Sequence, residues 1–93
     1  MVKKSTVVKN KTGLHARPAS DFVQAASKFE SKIKIRRVGE EDEEADAKSI
    51  IFLLSLGLCQ GEEVEIIAKG ADEQEAVDSL IALIDSGFGE TEE

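Results

Sequence analysis

The least common side chains of this chain lie together in residues 10–20, NKTGLHARPAS. His15 is the only histidine and Pro18 the only proline among 93 residues, and Arg17 lies between them. Histidine can bind a metal, shuttle a proton or act as a nucleophile. A metal site is not indicated, because no second histidine or cysteine is near and the acidic residues lie in another segment. Nothing in the chain resembles a nucleophile elbow either.

His15 immediately precedes a predicted helix. Helical spacing of apolar residues starts after Ala16, and Pro18 falls in the first turn, where its missing N–H costs nothing. The predicted apolar stripe is Ala19, Phe22, Val23, Ala26 and Phe29. A helix N-terminus offers free N–H groups and partial positive charge to a phosphate, and Arg17 adds a matching fork of donors. This arrangement suits a phosphoryl acceptor at His15, held by Arg17 and the amides of Ala16 and Arg17. The residues alone also allow an ordinary helix start with a solvated arginine.

The elements that position this segment follow from hydrophobic periodicity. Strands are predicted at 2–9, 32–38 and 62–70, the first followed by a turn in which Gly13 takes positive φ. A short helix within 48–58 has Ser49 as N-cap and ends at Gly57 or Gly61. A longer helix within 71–87 has Asp72 as N-cap in a capping box with Glu75, and ends at Gly87. The order β-α-β-(β)-α-β-α predicts an antiparallel two-layer α+β domain, with a ferredoxin-like split β-α-β fold as the nearest alternative.

An acidic run separates the second strand from the short helix. Residues 40–46 carry six acids in seven positions, and the predicted acidic loop spans about 39–46. A third strand there is weakly specified, because like charges repel and few residues can be buried. No calcium-loop motif is present, so a solvated charge run is the favoured interpretation.

Composition bounds the remaining possibilities. The length predicts one domain over residues 1–93, with a frayed tail from about residue 88. A net charge of −7 argues against sequence-independent binding of nucleic acid. The single Cys59 forms no internal disulfide, and no segment resembles a signal peptide or a membrane span. A cytoplasmic protein without membrane insertion is expected.

Three segments carry a resemblance to a known family. GLHARPAS, AKSIIFLLSLGLCQGEEVEI and GADEQEAVDSL follow one another as in HPr, the histidine-containing phosphocarrier family of the bacterial sugar phosphotransferase system. The resemblance covers nearly the whole chain except residues 38–46, where the connection is about three residues longer and mostly acidic. It implies an open-faced β-sandwich, in which three helices cover one face of a four-stranded antiparallel sheet.

The resemblance also implies a role for each matched residue. His15 accepts a phosphoryl group at Nδ1 from enzyme I, which is charged by phosphoenolpyruvate, and passes it to the IIA domains of sugar permeases. Arg17 and the amide of Ala16 stabilise the phosphate. Such a chain is a phosphorylated intermediate rather than an independent enzyme, needs no cofactor or metal, and is expected to be a monomer. Ile50, Ile51, Leu54 and Gln24 match partner-binding positions, whereas Leu53 and Leu56 are expected to pack inward and Phe52 is undecided.

A second site and rival functions follow from the same resemblance. Ser49 matches a serine that HPr kinase/phosphorylase modifies in many low-GC Gram-positive bacteria, although a plain helix cap explains it equally. If modified, the chain is a binding module for a catabolite-repression regulator, but the paralogue dedicated to that role lacks the histidine present here. Nearby carboxylates of the acidic loop oppose a phosphate on Ser49 unless the loop points away. A carrier in a nitrogen-related or dihydroxyacetone phosphotransfer chain is a further alternative.

Overall fold

The computed structural model describes residues 1–40 and 42–89. It contains the strands β1 (Val2–Val7), β2 (Lys32–Arg37), β3 (Ala45–Asp46) and β4 (Glu63–Lys69). Its helices are α1 (Ala16–Ser27), α2 (Ile50–Ser55) and α3 (Glu73–Asp85), followed by a 3-10 turn at Gly87–Gly89. The predicted element order is therefore confirmed, with strand and helix ends within about two residues of their predicted positions.

The sheet is antiparallel, with strand order β1-β4-β2-β3. β1 and β2 run parallel to each other with β4 between them, so β1-α1-β2 is a split β-α-β unit of the kind that element order allows. One face is covered by the three helices and the other is open. The open-faced sandwich predicted from the resemblance is confirmed.

The core lies between the sheet and the helices. Alternate residues of the strands point toward the helices, which is why Ile33, Ile35, Val64, Ile66 and Ala68 are buried as their spacing predicts. From the helices, Phe22 in α1 and Leu80 and Ile84 in α3 are fully buried against them. Each such side chain contributes about 1.5–3 kcal/mol of burial free energy.

β3 is the weakest strand. It pairs with β2 only through Lys34 opposite Asp46 and Ile35 opposite Ala45. Ala45 is buried and Asp46 is exposed, so little apolar surface holds the strand in register. This agrees with the weak third strand expected from the acidic sequence.

The start of α3 differs from the predicted capping box. Asp72 is the N-cap, as expected, but its side chain makes no capping hydrogen bond. Its carboxylate instead accepts from the backbone N–H groups of Glu30 and Ser31 and from the Ser31 hydroxyl. These bonds lower the pKa of Asp72, the Ser31 hydroxyl having the largest effect. The residue therefore fixes the connection from α1 to β2, and the capping-box prediction is wrong.

The prediction of a frayed tail from about residue 88 is also wrong for residues 88 and 89. Phe88 and Gly89 belong to the 3-10 turn, and Phe88 packs partly buried against the core with φ of 58°. An aromatic ring this close to the end of α3 gains more from burial than it loses in backbone strain. Residues 90–93 lie outside the described part of the chain.

Candidate functional site

The turn before His15 is fixed by hydrogen bonds from Asn10. Its side-chain amide donates to the carbonyl of Gly13 at 2.8 Å and to the Thr12 hydroxyl at 3.1 Å. The Gly13 N–H donates back to the Asn10 carbonyl at 3.1 Å. Asn10 is almost fully buried, at 2% exposure, so the turn is held from inside the molecule.

Gly13 and Leu14 attach this turn to the connection between α2 and β4. Gly13 has φ of +67°, as predicted, and a Cβ there would lie 2.4 Å from the Leu58 carbonyl oxygen. The Leu14 N–H donates to the same oxygen at 2.9 Å, and the Leu14 side chain is fully buried. Only glycine fits a backbone approach this close. The position of His15 therefore depends on contacts with residues more than forty positions later in the chain.

His15 is the N-cap residue of α1. Its backbone is extended, with φ of −125° and ψ of 157°, and its side chain makes no capping hydrogen bond. The next residue, Ala16, is exposed and has φ of +50°, a left-handed conformation that costs a non-glycine residue about 1–2 kcal/mol. The half-buried imidazole is thus presented at a helix N-terminus whose backbone is locally strained.

Arg17 is an exposed cation in the first turn of α1. Within residues 1–40 and 42–89 its guanidinium has no ion pair and no hydrogen bond. The first turn contains no acidic residue, and Pro18 is buried behind it. Free N–H groups at the helix start, an unpaired guanidinium and a neighbouring imidazole together can bind a phosphoryl group attached to the ring.

A shallow depression borders Arg17. It has a volume of about 260 Å³ and is lined by Arg17, Pro18, Asp21, Phe88 and Gly89. Asp21 lies four residues after Arg17, on the same face of α1, which places a carboxylate beside the proposed phosphate site. Asp21 and Phe88 were not among the residues predicted for the site. The i, i+4 spacing signals Asp21, whereas only the folded chain places Phe88 there.

Ser49 is the N-cap of α2, as predicted. Its hydroxyl oxygen accepts from the Phe52 N–H at 3.4 Å, and the residue is half-buried. The helix ends at Ser55 with Gly57 at φ of +60°, so Gly57 rather than Gly61 closes it.

The short helix α2 exposes most of its apolar residues. Ile51 is 74% exposed and Phe52 59%, and Ile50 and Leu54 are also exposed. Leu53 and Leu56 are buried, so the predicted division of this helix into inward and outward residues is confirmed. Helix α1 packs against α2, and Gln24 is exposed on it with its amide donating to the Ser20 hydroxyl at 3.1 Å. Partner binding by Gln24 and the exposed residues of α2 stays a prediction.

Two described carboxylates of the acidic loop, those of Glu40 and Glu44, face two arginines of β2. Glu44 pairs with Arg36 at 2.9 Å, and Glu40 approaches Arg37 at 4.0 Å. Arg37 also donates to Glu62 and to the Gly57 carbonyl at the C-terminal end of α2. Through Arg37, Glu40 therefore lies toward the end of α2 that is farther from Ser49, whereas Glu44 lies with Arg36 on the open face of the sheet.

Arg37 and Glu62 form a charged pair at 2.6 Å. Their hydrogen bond raises the pKa of Arg37 and lowers that of Glu62, which also accepts from the Cys59 N–H. The pair fixes the connection from α2 to β4, the same segment that holds Gly13. Asp46 alone among the described acids of the loop lies near Ser49 in sequence, and its carboxylate accepts from the Lys48 N–H.

Clusters of potential metal ligands and membrane-spanning helices are both absent from residues 1–40 and 42–89. No group of three or more His, Cys, Asp or Glu side chains there could hold a metal ion. None of the helices in residues 1–40 and 42–89 is long and apolar enough to cross a membrane.

Comparison with known proteins supports the resemblance. Residues 2–86 match the family model PTS-HPr, described as the PTS HPr component phosphorylation site. The HPr-like protein Crh of Halalkalibacterium halodurans is 48% identical over 91% of this chain and 98% of its own length. The phosphocarrier protein NPr of Proteus mirabilis is 43% identical over 89% of this chain and 90% of its own.

Solved structures agree with the sequence comparison. HPr-C-His from Thermoanaerobacter tengcongensis superposes with a TM-score of 0.92 at 48% identity, covering 99% of this chain and all of that one. Crh of Bacillus subtilis, solved as a swapped dimer, superposes with a TM-score of 0.71 at 44% identity over 94% of this chain and 97% of its own. On this sequence match and shared fold, the chain belongs to the HPr family and is an HPr-family phosphocarrier.

Proposed function

We propose that this chain carries a phosphoryl group on His15 between enzyme I, charged by phosphoenolpyruvate, and the IIA domains of sugar permeases. The imidazole Nδ1 forms a bond to phosphorus as the bond from phosphorus to the donor breaks, and the steps reverse at the acceptor. The observation that carries the proposal is that a half-buried imidazole and the guanidinium of Arg17, which has no ion pair within the described residues, both lie at the N-terminus of α1.

The site suits reversible transfer of a phosphoryl group better than its tight retention. Arg17 and the first-turn N–H groups balance the charge of a phosphoryl group, but the site is open to solvent and Asp21 lies beside it. Strong binding of the phosphorylated state would slow the onward transfer. The exposed apolar residues of α2 offer a surface on which enzyme I and IIA domains dock in turn.

The direct test is incubation of the purified chain with enzyme I and phosphoenolpyruvate. We expect one acid-labile phosphate per chain, absent in His15→Ala and retained in the control Ser49→Ala. A IIA domain added afterwards should remove the label. Equal labelling of wild type and His15→Ala would contradict the assignment of the acceptor.

A second candidate is a regulatory module phosphorylated on Ser49. The similarity to Crh and the position of Ser49 at a helix start support it. Phosphate there meets free N–H groups and the positive end of the helix dipole. The presence of His15 favours the relay, because the catabolite-repression paralogue is marked by its absence. Acid-stable labelling by HPr kinase/phosphorylase and ATP, without labelling by enzyme I, would reverse this order.

The identity of the phosphotransfer chain is a separate question. Similarity to NPr keeps a nitrogen-related chain open, and labelling rates with enzyme I from the sugar system and from the nitrogen system decide between them. We propose a cytoplasmic location and a monomer. Sedimentation measurements test the latter, because Crh of Bacillus subtilis was solved as a swapped dimer.

A further inference from the structure

The open face of the sheet carries a group of lysines. Residues paired directly across antiparallel strands point to the same face. Ile66 is buried under the helices, so its neighbour Ile67 points to the open face together with its partners Lys3 and Lys34. Lys69 and Lys32, paired with each other two residues along the strands, lie on the same face. We call Lys3, Lys32, Lys34 and Lys69 around Ile67 the lysine patch.

The lysine patch has little compensating charge. In the part of the chain that the structure describes, none of its four ammonium groups has an ion pair or a hydrogen bond. Asp46 is paired opposite Lys34, and its carboxylate accepts from the Lys48 N–H. Glu73 interacts electrostatically with Lys69, but its carboxylate is already engaged by the N-terminal ammonium group and the Gly70 N–H. Lys32 and Lys69 lie directly opposite each other, an arrangement that destabilises a sheet. Such a cluster is notable in a chain of net charge −7.

In the other half of the open face, around Arg36, the positive charge is matched by acids. Arg36 donates to Glu65 at 2.6 Å and to Glu44 at 2.9 Å, so its charge is matched within the fold. Both halves lie on the same strands with the same spacing. The unmatched charge is thus confined to one end of the sheet, as an interaction surface requires.

The shape of the patch indicates the kind of anion. Strands about 4.8 Å apart place the four lysines within roughly 10 Å of one another. Ile67 lies half-buried at the centre, and a depression of about 300 Å³ at the margin is lined by Lys32, Ile33, Lys34, Asp46 and Lys48. An apolar centre with a charged rim is the anatomy of a protein interface. A small inorganic anion gains nothing from Ile67, and a long nucleic acid meets repulsion from the net charge.

We propose that the lysine patch docks an acidic segment of a partner protein, in which carboxylates flank an apolar side chain. Carboxylates of the segment neutralise the lysines and its apolar side chain covers Ile67. The inference goes beyond the proposed function, because α1 and α2 pack on the opposite face of the sheet. His15 therefore stays accessible while the segment is bound.

The test is a titration of the isotope-labelled full chain with a short peptide in which glutamates flank a central leucine, followed by NMR. We expect shift changes at Lys3, Lys34, Ile67 and Lys69 and none at His15. Lys69→Glu should weaken binding about tenfold, since it replaces attraction by repulsion at one of the four charges around Ile67. The matched control is Lys28→Glu, which changes the net charge equally on an exposed residue after α1 and should alter affinity less than about twofold.

Other occupants are outcomes that overturn the proposal. Inorganic triphosphate binding as tightly as the peptide, with no effect of Ile67→Ser, would show a general anion site. Binding to phosphatidylserine vesicles but not to the peptide would show a membrane surface. Concentration-dependent self-association that Lys69→Glu abolishes would show that a second copy occupies the patch. None of these measurements depends on phosphorylation of His15, so the proposed function stands or falls separately.

Discussion

The N-termini of α1 and α2 differ in whether a side chain caps their first-turn N–H groups. At α2, the Ser49 hydroxyl accepts from the Phe52 N–H, and the chain enters the helix through an extended residue. At α1, His15 is also extended, but its side chain makes no capping bond and Ala16 is left-handed. The start of α2 is capped by the side chain of its own N-cap residue. The start of α1 has no such cap, and its left-handed Ala16 costs backbone energy. Such strain is retained where the surrounding structure over-determines it, which is common at functional sites.

The start of α1 keeps its form because it is held from outside the helix. The Leu14 N–H bond to Leu58 and the close approach of Gly13 to the same carbonyl fix the chain before His15. The α2 start has no comparable need, since its cap lies within the helix.

The largest effect is expected from Gly13→Ala. The new Cβ would meet the Leu58 oxygen at 2.4 Å in a left-handed residue, so the free energy of unfolding should fall by about 2–4 kcal/mol. The matched control is Gly57→Ala, with φ of +60° but no atom closer than 3.9 Å, for which about 1 kcal/mol is expected. Urea unfolding measures both, and equal losses would show that packing at Gly13 is not what holds the turn.

The next largest effect separates Arg17, which has no partner in the described residues, from Arg37, which is paired with Glu62. Arg17→Gln removes an unpaired charge, so it should lower the rate of labelling by enzyme I about tenfold while stability changes little. Arg37→Gln breaks the contacts with Glu62 and Gly57, so it should reduce stability by about 1 kcal/mol and leave the labelling rate unchanged. Both are measured on the same preparations. If Arg17→Gln unfolds the chain and Arg37→Gln slows labelling, the two roles are reversed.

The third prediction compares the two N-caps directly. Ser49→Ala loses a long capping bond and should cost about 0.5–1 kcal/mol of folding free energy. His15→Ala loses no capping bond and should cost less than about 0.5 kcal/mol, because the side chain contributes nothing to the helix start. Thermal unfolding of the two variants checks this. A larger loss for His15→Ala would mean that the imidazole stabilises the helix.

Ala16→Gly should raise stability slightly. Glycine removes the strain of φ +50° but adds entropy to the unfolded chain, which leaves a gain of about 0.5 kcal/mol. At Ala25, within α1, the same replacement should cost about 1 kcal/mol. Urea unfolding distinguishes the two signs. Destabilisation at both positions would mean that Ala16 is not strained in solution.

The smallest effect is a pH dependence at the third helix start. The pKa of Asp72 is lowered in the folded chain, first by the Ser31 hydroxyl and then by the Glu30 N–H. Its contribution to stability is therefore present above the ordinary aspartate pKa and lost as the pH falls through the folded value. Asp72→Asn should therefore make the midpoint of urea unfolding less dependent on pH in the acidic range. An unchanged slope would show that the Asp72 carboxylate adds nothing.

The sequence by itself determined the helix starts, the element order and the core faces. The period of apolar residues placed α1 directly after His15, because local spacing decides which side of a helix is apolar, whereas the resemblance separated the inward Leu53 from the outward Ile51 on α2. The family followed from motifs in order along the chain. These properties depend on residues within a few positions of one another.

The tertiary structure decided what depends on distant partners. The Asp72 carboxylate binds the turn at Ser31 instead of capping α3, because three donors there outcompete the N–H groups of α3. Phe88 folds back beside Arg17, and the acidic loop turns toward Arg36 and Arg37. The lysine patch forms only when β1, β4 and β2 pair in this register. No local pattern specifies these contacts, since each joins segments that are far apart in the chain and close only after folding.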